Sequence, residues 1–216
     1  MAELLVIRHG QASFGQDNYD VLSDLGHRQS EAVGAILREM NWTPDRLVTG
    51  TLKRQRDTLS SMGFDQTPEE HPGFNEYDFS DLLAARFKGN VPDLVKGDRK
   101  THFRALRDTV FEWQDAAFDG ASETYAEFAA RVEAARTFAC DTDAARVLVI
   151  SSGGVIGQMT ATALGADKRH MMELNLQIKN TAMTRFMFKG ARCSLSEFNA
   201  TPHFMQPAGA GLQSYS

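Results

Sequence analysis

Val147-Leu148-Val149-Ile150-Ser151-Ser152-Gly153-Gly154 runs from four consecutive apolar residues straight into small, turn-forming ones. Such a run reads as a strand covered on both faces, followed by a tight exit into a helix, here Val155–Leu164. A second run of the same kind opens the chain. Glu3–Ile7 is short, apolar and bounded by charge, and it leads into Arg8-His9-Gly10. Working outward, Ser23 is placed as an N-cap and Asp24 sits in the first turn, where the dipole favours negative charge. Leu25, Ala32, Val33, Ile36, Leu37 and Met40 recur at helical spacing and predict a helix over 24–40. Arg46–Thr49 reads as a brief strand and Leu52–Met62 as a second helix. Positions 64–100, with Pro68, Pro72 and Pro92, read as a loop-rich insertion. Helical patterns through Phe103–Ala117 and Tyr125–Ala139 follow, separated by Gly120-Ala121-Ser122. Strands are predicted at 181–188 and 193–199, and Pro207–Ser216 reads as a loose tail. Strands alternating with helices predict an α/β fold, a mostly parallel central sheet between two helical layers.

The 216 residues carry 23 Lys and Arg against 28 Asp and Glu, a formal net charge of −5. That balance argues against nucleic acid as a partner, which calls for a basic face. The longest apolar stretches hold four residues against the roughly 20 of a membrane span, so no membrane association is expected. No secretory signal is visible at the N-terminus. Cys140 and Cys193 stand far apart and outside any CxxC, which excludes a disulfide framework and a Cys-based zinc knuckle and fits a reducing cytoplasm. His27, His71, His102, His170 and His203 show no HxxxH or HExxH spacing, so no metal is expected, and neither GxGxxG nor a P-loop is present. Ser152 is not in a nucleophile elbow, because Ile150 stands where that motif has its first Gly.

Ligands of open α/β sheets sit at the carboxyl ends of strands. An Arg beside a His at a strand exit is a poor structural choice unless an anion is to be held there. The alternative is a basic pair on the surface. Gly10 favours the first reading, since it lets backbone approach a ligand closely.

Arg8-His9-Gly10-Gln11 resembles the RHG signature of the histidine phosphatase superfamily, which includes the phosphoglycerate mutases. Further segments match in family order over roughly 4–200. Leu22–Ser30 is similar to the "LTxxGxxQA" helix start, and Leu52–Thr58 to "LxRAxxT". Phe74–Phe79 is similar to "LxEidfG", and Ala121–Tyr125 with Arg131-Val132 to "GES…RV". Val149–Ile156 matches "VVSHGGVI" except at Ser152, which stands where the family has its second histidine. The resemblance implies a phosphoglycerate mutase-like three-layer α/β/α sandwich, one domain over 1–216 with a cap inserted at about 65–122.

It also implies roles. His9 takes the nucleophile's place, Arg8 and Arg54 those of the phosphate-pocket arginines, and Glu76 that of the general acid. Gln11 holds a position often occupied by Glu. Gly15 falls where many members have an Asn, so that phosphate donor is either missing or supplied by Ser13. Read on its own, Glu76 is an ordinary loop carboxylate. The expected function is hydrolysis of small phosphomonoesters through a phosphohistidine on His9, with no cofactor and no metal, slowed by Ser152. Mutase-type phosphoryl transfer and binding of a phosphorylated ligand without turnover are the alternatives. Restoring histidine at 152 is expected to raise the rate.

Overall fold

The computed structural model describes residues 1–13, 20–92, 99–190 and 192–215. Gly15 lies outside these residues. Strands β1 (Ala2–Arg8), β2 (Arg46–Thr49), β3 (Glu69–Glu70), β4 (Arg146–Ser151), β5 (Met183–Lys189) and β6 (Arg192–Ala200) form one sheet in the order β3-β2-β4-β1-β5-β6. β1, β2, β3 and β4 are mutually parallel, while β5 and β6 run antiparallel at one edge.

The two apolar runs are the central strands. Leu4 to Ile7 and Val147 to Ile150 are all 0% exposed, which explains why neither run alternates. Leu5, Ile7, Leu148 and Ile150 pack under helices α1 (Asp24–Glu39) and α2 (Lys53–Ser61), through Val33, Ile36, Leu37, Leu59 and Met62. Leu4, Val6, Val147 and Val149 pack on the other face under α5 (Tyr125–Cys140) and α6 (Gly153–Leu164). The result is the expected three-layer arrangement.

Ser23 caps α1, its Oγ accepting the Gly26 N–H at 3.1 Å. A Cβ on Gly10 would lie 2.5 Å from the Gly26 carbonyl oxygen. The loop after β1 is therefore laid directly on the first turn of α1, an approach only glycine allows.

Three segments differ from expectation. The insertion holds a helix, α3 (Phe79–Arg86), capped by Asp78 accepting from the Asp81 N–H at 3.0 Å, besides the anticipated α4 (Arg99–Gln114). A short helix, α7 (Arg169–Asn175), follows α6. The C-terminal segment is docked rather than loose. Leu212 is 3% exposed, and the buried Gln29 of α1 donates to its carbonyl oxygen at 2.6 Å and to Ser214 Oγ at 2.8 Å. Ser214 Oγ in turn donates to Asn180 Oδ1 at 2.9 Å. A buried amide on α1 needs partners, and this segment supplies them; composition alone had suggested solvent.

Buried His203 illustrates how such partners set protonation. Thr181 Oγ1 spends its proton on the Asn180 carbonyl at 2.7 Å, so it accepts from His203 Nε2 at 3.0 Å. Nδ1 is then the unprotonated nitrogen, buried and without a partner among the described residues. Burial lowers the His203 pKa to about 4. Between pH 6.5 and about 4 the unfolded chain takes up a proton that the folded one refuses, so stability falls as pH falls. The loss from this group should approach the order of 3 kcal/mol by pH 4. Urea unfolding of His203→Gln at pH 7.5 and 4.5 should show a smaller difference between the two pH values than wild type. An equal difference would exclude His203 as the source.

Candidate active site at the carboxyl ends of β1 and β4

β1 and β4 pair in a register that sets Arg8 opposite Ser151, and the His9 N–H donates to the Ser151 carbonyl at 2.9 Å. The two strands thus end level, with His9 and Ser152 as the next residues on each. By strand alternation these two follow Ile7 and Ile150, on the α2 face. Arg8 and Ser151 belong to the opposite face.

His9 is 3% exposed. Its Nδ1 lies 2.8 Å from the Gly10 carbonyl, which can only accept, so Nδ1 carries the proton. Its Nε2 lies 3.1 Å from Arg54 Nε, which can only donate, so Nε2 presents its lone pair. Both partners select the neutral ring. Burial first, then the Arg54 and Arg8 charges, hold the His9 pKa well below the usual histidine value, against a smaller opposing effect of the Gly10 carbonyl.

Arg54 is held from the far side by Asp20, whose Oδ1 accepts from Nη1 at 2.8 Å. The same carboxylate accepts the Lys53 N–H at 2.8 Å, at the start of α2, where the helix dipole favours negative charge. Thr58 Oγ1, one turn along, donates to the Arg54 carbonyl at 2.7 Å and accepts the Gly10 N–H at 2.9 Å. One helical turn of α2 therefore carries both the guanidinium and the tie to the histidine loop. Arg8, 7% exposed, donates from Nη1 to the Ile178 carbonyl, and its guanidinium carbon would lie 3.5 Å from a Cβ built on Gly153.

Glu76 reaches in from the insertion. Its Oε2 accepts the Gly154 N–H at 2.9 Å, in the first turn of α6. A Cβ on Gly154 would fall 2.3 Å from Glu76 Oε1 and 2.4 Å from the Tyr77 ring, so glycine is needed for Glu76 to dock. Burial raises the Glu76 pKa above the usual carboxylate value, opposed by the Gly154 N–H, the Arg54 and Arg8 charges and the Tyr77 N–H.

Ser152 is fully buried and its Oγ accepts from Gln55 Nε2 at 2.9 Å. Gln11 and Ser13 lie at the rim. Gln11 Oε1 accepts from Ser23 Oγ at 2.9 Å, and the Ser13 N–H donates to the Val21 carbonyl at 2.8 Å.

Arg8, His9, Arg54, Glu76 and Ser152 are thus gathered at one end of the sheet. Asp20, Gln55 and Thr58 were not singled out from sequence. Thr58 carried a signal as the Thr that closes the matching motif, and Gln55 as a polar residue where that motif has Ala. His203 lies behind Thr181, and His170 is exposed on α7, so neither replaces a histidine at 152. Among the described residues, no group of three or more metal-ligating side chains occurs and no helix is long and apolar enough to cross a membrane.

Comparison with solved structures finds the same fold at low identity. A phosphoserine phosphatase from Entamoeba histolytica, in complex with 3-phosphoglyceric acid, superposes with a TM-score of 0.68 at 20% identity, covering 94% of this chain and 99% of that one. A mycobacterial glucosyl-3-phosphoglycerate phosphatase gives 0.67 at 20% identity, covering 93% and 100%. In sequence, a 2,3-bisphosphoglycerate-dependent phosphoglycerate mutase from Tropheryma whipplei is 39% identical over 64 residues. That match spans 27% of this chain and 29% of the mutase. The family model for branch 1 of the histidine phosphatase superfamily matches residues 4–201. Nearly the whole sheet, with every residue discussed around His9, falls within that match, and the chain belongs to the histidine phosphatase superfamily.

Proposed function

We propose that this protein is a phosphatase that hydrolyses small phosphomonoesters through a phosphohistidine on His9. The observation that carries this reading is the Arg54–His9–Gly10 chain, which supports a neutral imidazole with its lone pair under a guanidinium. An arriving phosphoryl dianion attracts Arg54 Nε–H and the Arg8 guanidinium, which suit phosphate oxygens in charge and in fork geometry. Transfer of the Arg54 donor to a phosphoryl oxygen frees Nε2 to attack phosphorus, and the bond to the leaving oxygen breaks. Glu76, whose pKa burial raises, gives that oxygen its proton from the protonated form. As a carboxylate it then takes a proton from the water that attacks the phosphohistidine, releasing phosphate and restoring His9. The Gly10 carbonyl keeps Nδ1–H fixed throughout. The Ser152 hydroxyl adds a neutral donor to the transferring group, weaker than a cationic one. Gln11, whose Nε2 has no acceptor among the described residues, and Ser13 complete the phosphate pocket.

The residues at about 65–122 serve as the cap of a single domain over 1–216, and they contribute Glu76 and Tyr77 directly. A reducing cytoplasm is the proposed setting, in keeping with two free cysteines. A second reading, phosphoryl transfer of the mutase type, is favoured by the short stretch shared with the phosphoglycerate mutase.

His9→Ala should abolish turnover of phosphomonoesters, and wild type quenched during turnover should carry an acid-labile, base-stable phosphate that this variant lacks. Phosphate release by His9→Ala at the wild-type rate would refute the mechanism. Release of inorganic phosphate, rather than an isomeric phosphoester, separates phosphatase from mutase.

The shifts at Glu76 and His9 set the pH profile. Glu76 acts protonated, so kcat should fall as pH rises through its raised pKa; His9 acts neutral, so the rate falls only well below the usual histidine value. Glu76→Gln should lose the alkaline limb. It should also lower kcat by about 10²–10⁴ for alkyl phosphates, and by far less for p-nitrophenyl phosphate, whose leaving group needs no proton. Equal losses on both substrates would exclude Glu76 as the acid.

A further inference from the structure

Gln55 is a fully buried amide whose hydrogen-bonding capacity is spent in one place. Its Oε1 accepts the Leu52 N–H at 3.3 Å. Its Nε2 donates to the Phe74 carbonyl at 2.8 Å and to Ser152 Oγ at 2.9 Å. An amide nitrogen has two protons, and both are accounted for. The space for this side chain exists because residue 50 is glycine, since a Cβ there would lie 2.0 Å from Gln55 Oε1. The neighbouring Phe74 carbonyl also accepts from Ser151 Oγ at 2.8 Å, so one carbonyl anchors both Gln55 and the end of β4.

Two consequences follow for Ser152. Its Oγ must act as acceptor towards Gln55, and it donates to no acceptor among the described residues. The hydroxyl proton is therefore left for whatever enters the site. A larger side chain at 152, growing along the Cβ–Oγ direction, would meet the Gln55 amide only 2.9 Å away. Histidine at 152 alone would press its ring against the Gln55 amide, so a gain in rate is expected only where residue 55 is also reduced.

We propose that Gln55 is a positioning residue for catalysis, fixing the Ser152 hydroxyl so that its proton is presented to the phosphoryl group, and that Gln55 with Ser152 fills the volume of one larger donor at 152. The proposal rests on the phosphohistidine reading for its chemistry. It goes beyond it in making residues 55 and 152 one functional unit.

The test is a double-mutant cycle on p-nitrophenyl phosphate. Gln55→Ala should lower kcat by about 10- to 100-fold with KM within about threefold, since the orphaned donor acts on the transition state. Ser152→Ala should do the same, and the double variant should lose little more than either single one. Losses that multiply would overturn the proposal. Gln55→Ala also leaves the Phe74 carbonyl with one donor fewer, so a second comparison avoids dependence on that variant. Ser152→His should be less active than wild type, and Gln55→Ala/Ser152→His at least about tenfold more active than Ser152→His. A single Ser152→His variant as active as the pair would overturn the proposal.

Inorganic vanadate reads the same donor without turnover. Its Kd should rise about tenfold in Gln55→Ala and in Ser152→Ala, with no further rise in the double variant. If His9→Ala turned over like wild type, the phosphohistidine reading would fail, whereas the Gln55–Ser152 coupling would still be decided by the vanadate titrations.

Discussion

The parallel pairing of β1 with β4 fixes where everything else must lie. Each strand is a four-residue apolar run with no polar residue to mark a face, so burial alone does not choose its register. The choice is made at the ends, where Arg8 stands opposite Ser151 and the His9 N–H reaches the Ser151 carbonyl. Sliding β4 by one residue would put Ser152 where Ser151 stands and turn every β4 side chain to the opposite face. His9 would lose its backbone anchor, and α6 would begin away from Glu76. The site therefore depends on the sheet's register as much as on the identity of any side chain.

Around that register the protein assembles two buried arginines. Arg8 and Arg54 are each 7% exposed and flank a histidine that burial keeps uncharged. Asp20 takes one end of Arg54 and a backbone N–H at the start of α2, so it restrains the guanidinium without neutralising the end directed at His9. Glu76 is carried at the start of α6 by a backbone N–H while burial disfavours its charge. Desolvation and fixed dipoles thus oppose one another at the same carboxyl, the condition under which a modest change in the surroundings moves a proton.

The sheet and its main helices were legible because their signals are local: unbroken apolar runs for β1 and β4, a 3.6-residue period and Ser23 for α1. Convergence of His9 with Arg54 was legible only through ordered motif matches, since 45 positions separate them. What escaped notice depends on partners distant in sequence. Gln29 falls on the Gln of a matched motif, but the motif does not show that its partners are Leu212 and Ser214, more than 180 positions away. Helix α3 had a readable N-cap in Asp78, but surrounding prolines and mixed charges obscured it. Gln55 was visible as a departure from a motif, yet its meaning lies in a bond to a residue 97 positions away. Ser152 alone suggested a missing group; beside Gln55 it is half of an occupied volume.

The Arg54 Nε–H on His9 Nε2 has a consequence for chemical selectivity. An unprotonated imidazole inside a protein is open to acylating and alkylating agents as well as to phosphorus. Here its lone pair is occupied by a donor that leaves only when something more attractive to a guanidinium arrives. A neutral electrophile offers no such inducement and meets a blocked nitrogen. In the proposed mechanism an oxyanion brings the charge that draws Arg54 aside and so uncovers the atom it is to react with. The same contact that helps keep the ring neutral makes its reactivity conditional on the ligand's charge, a form of discrimination that precedes any fit of the rest of the molecule.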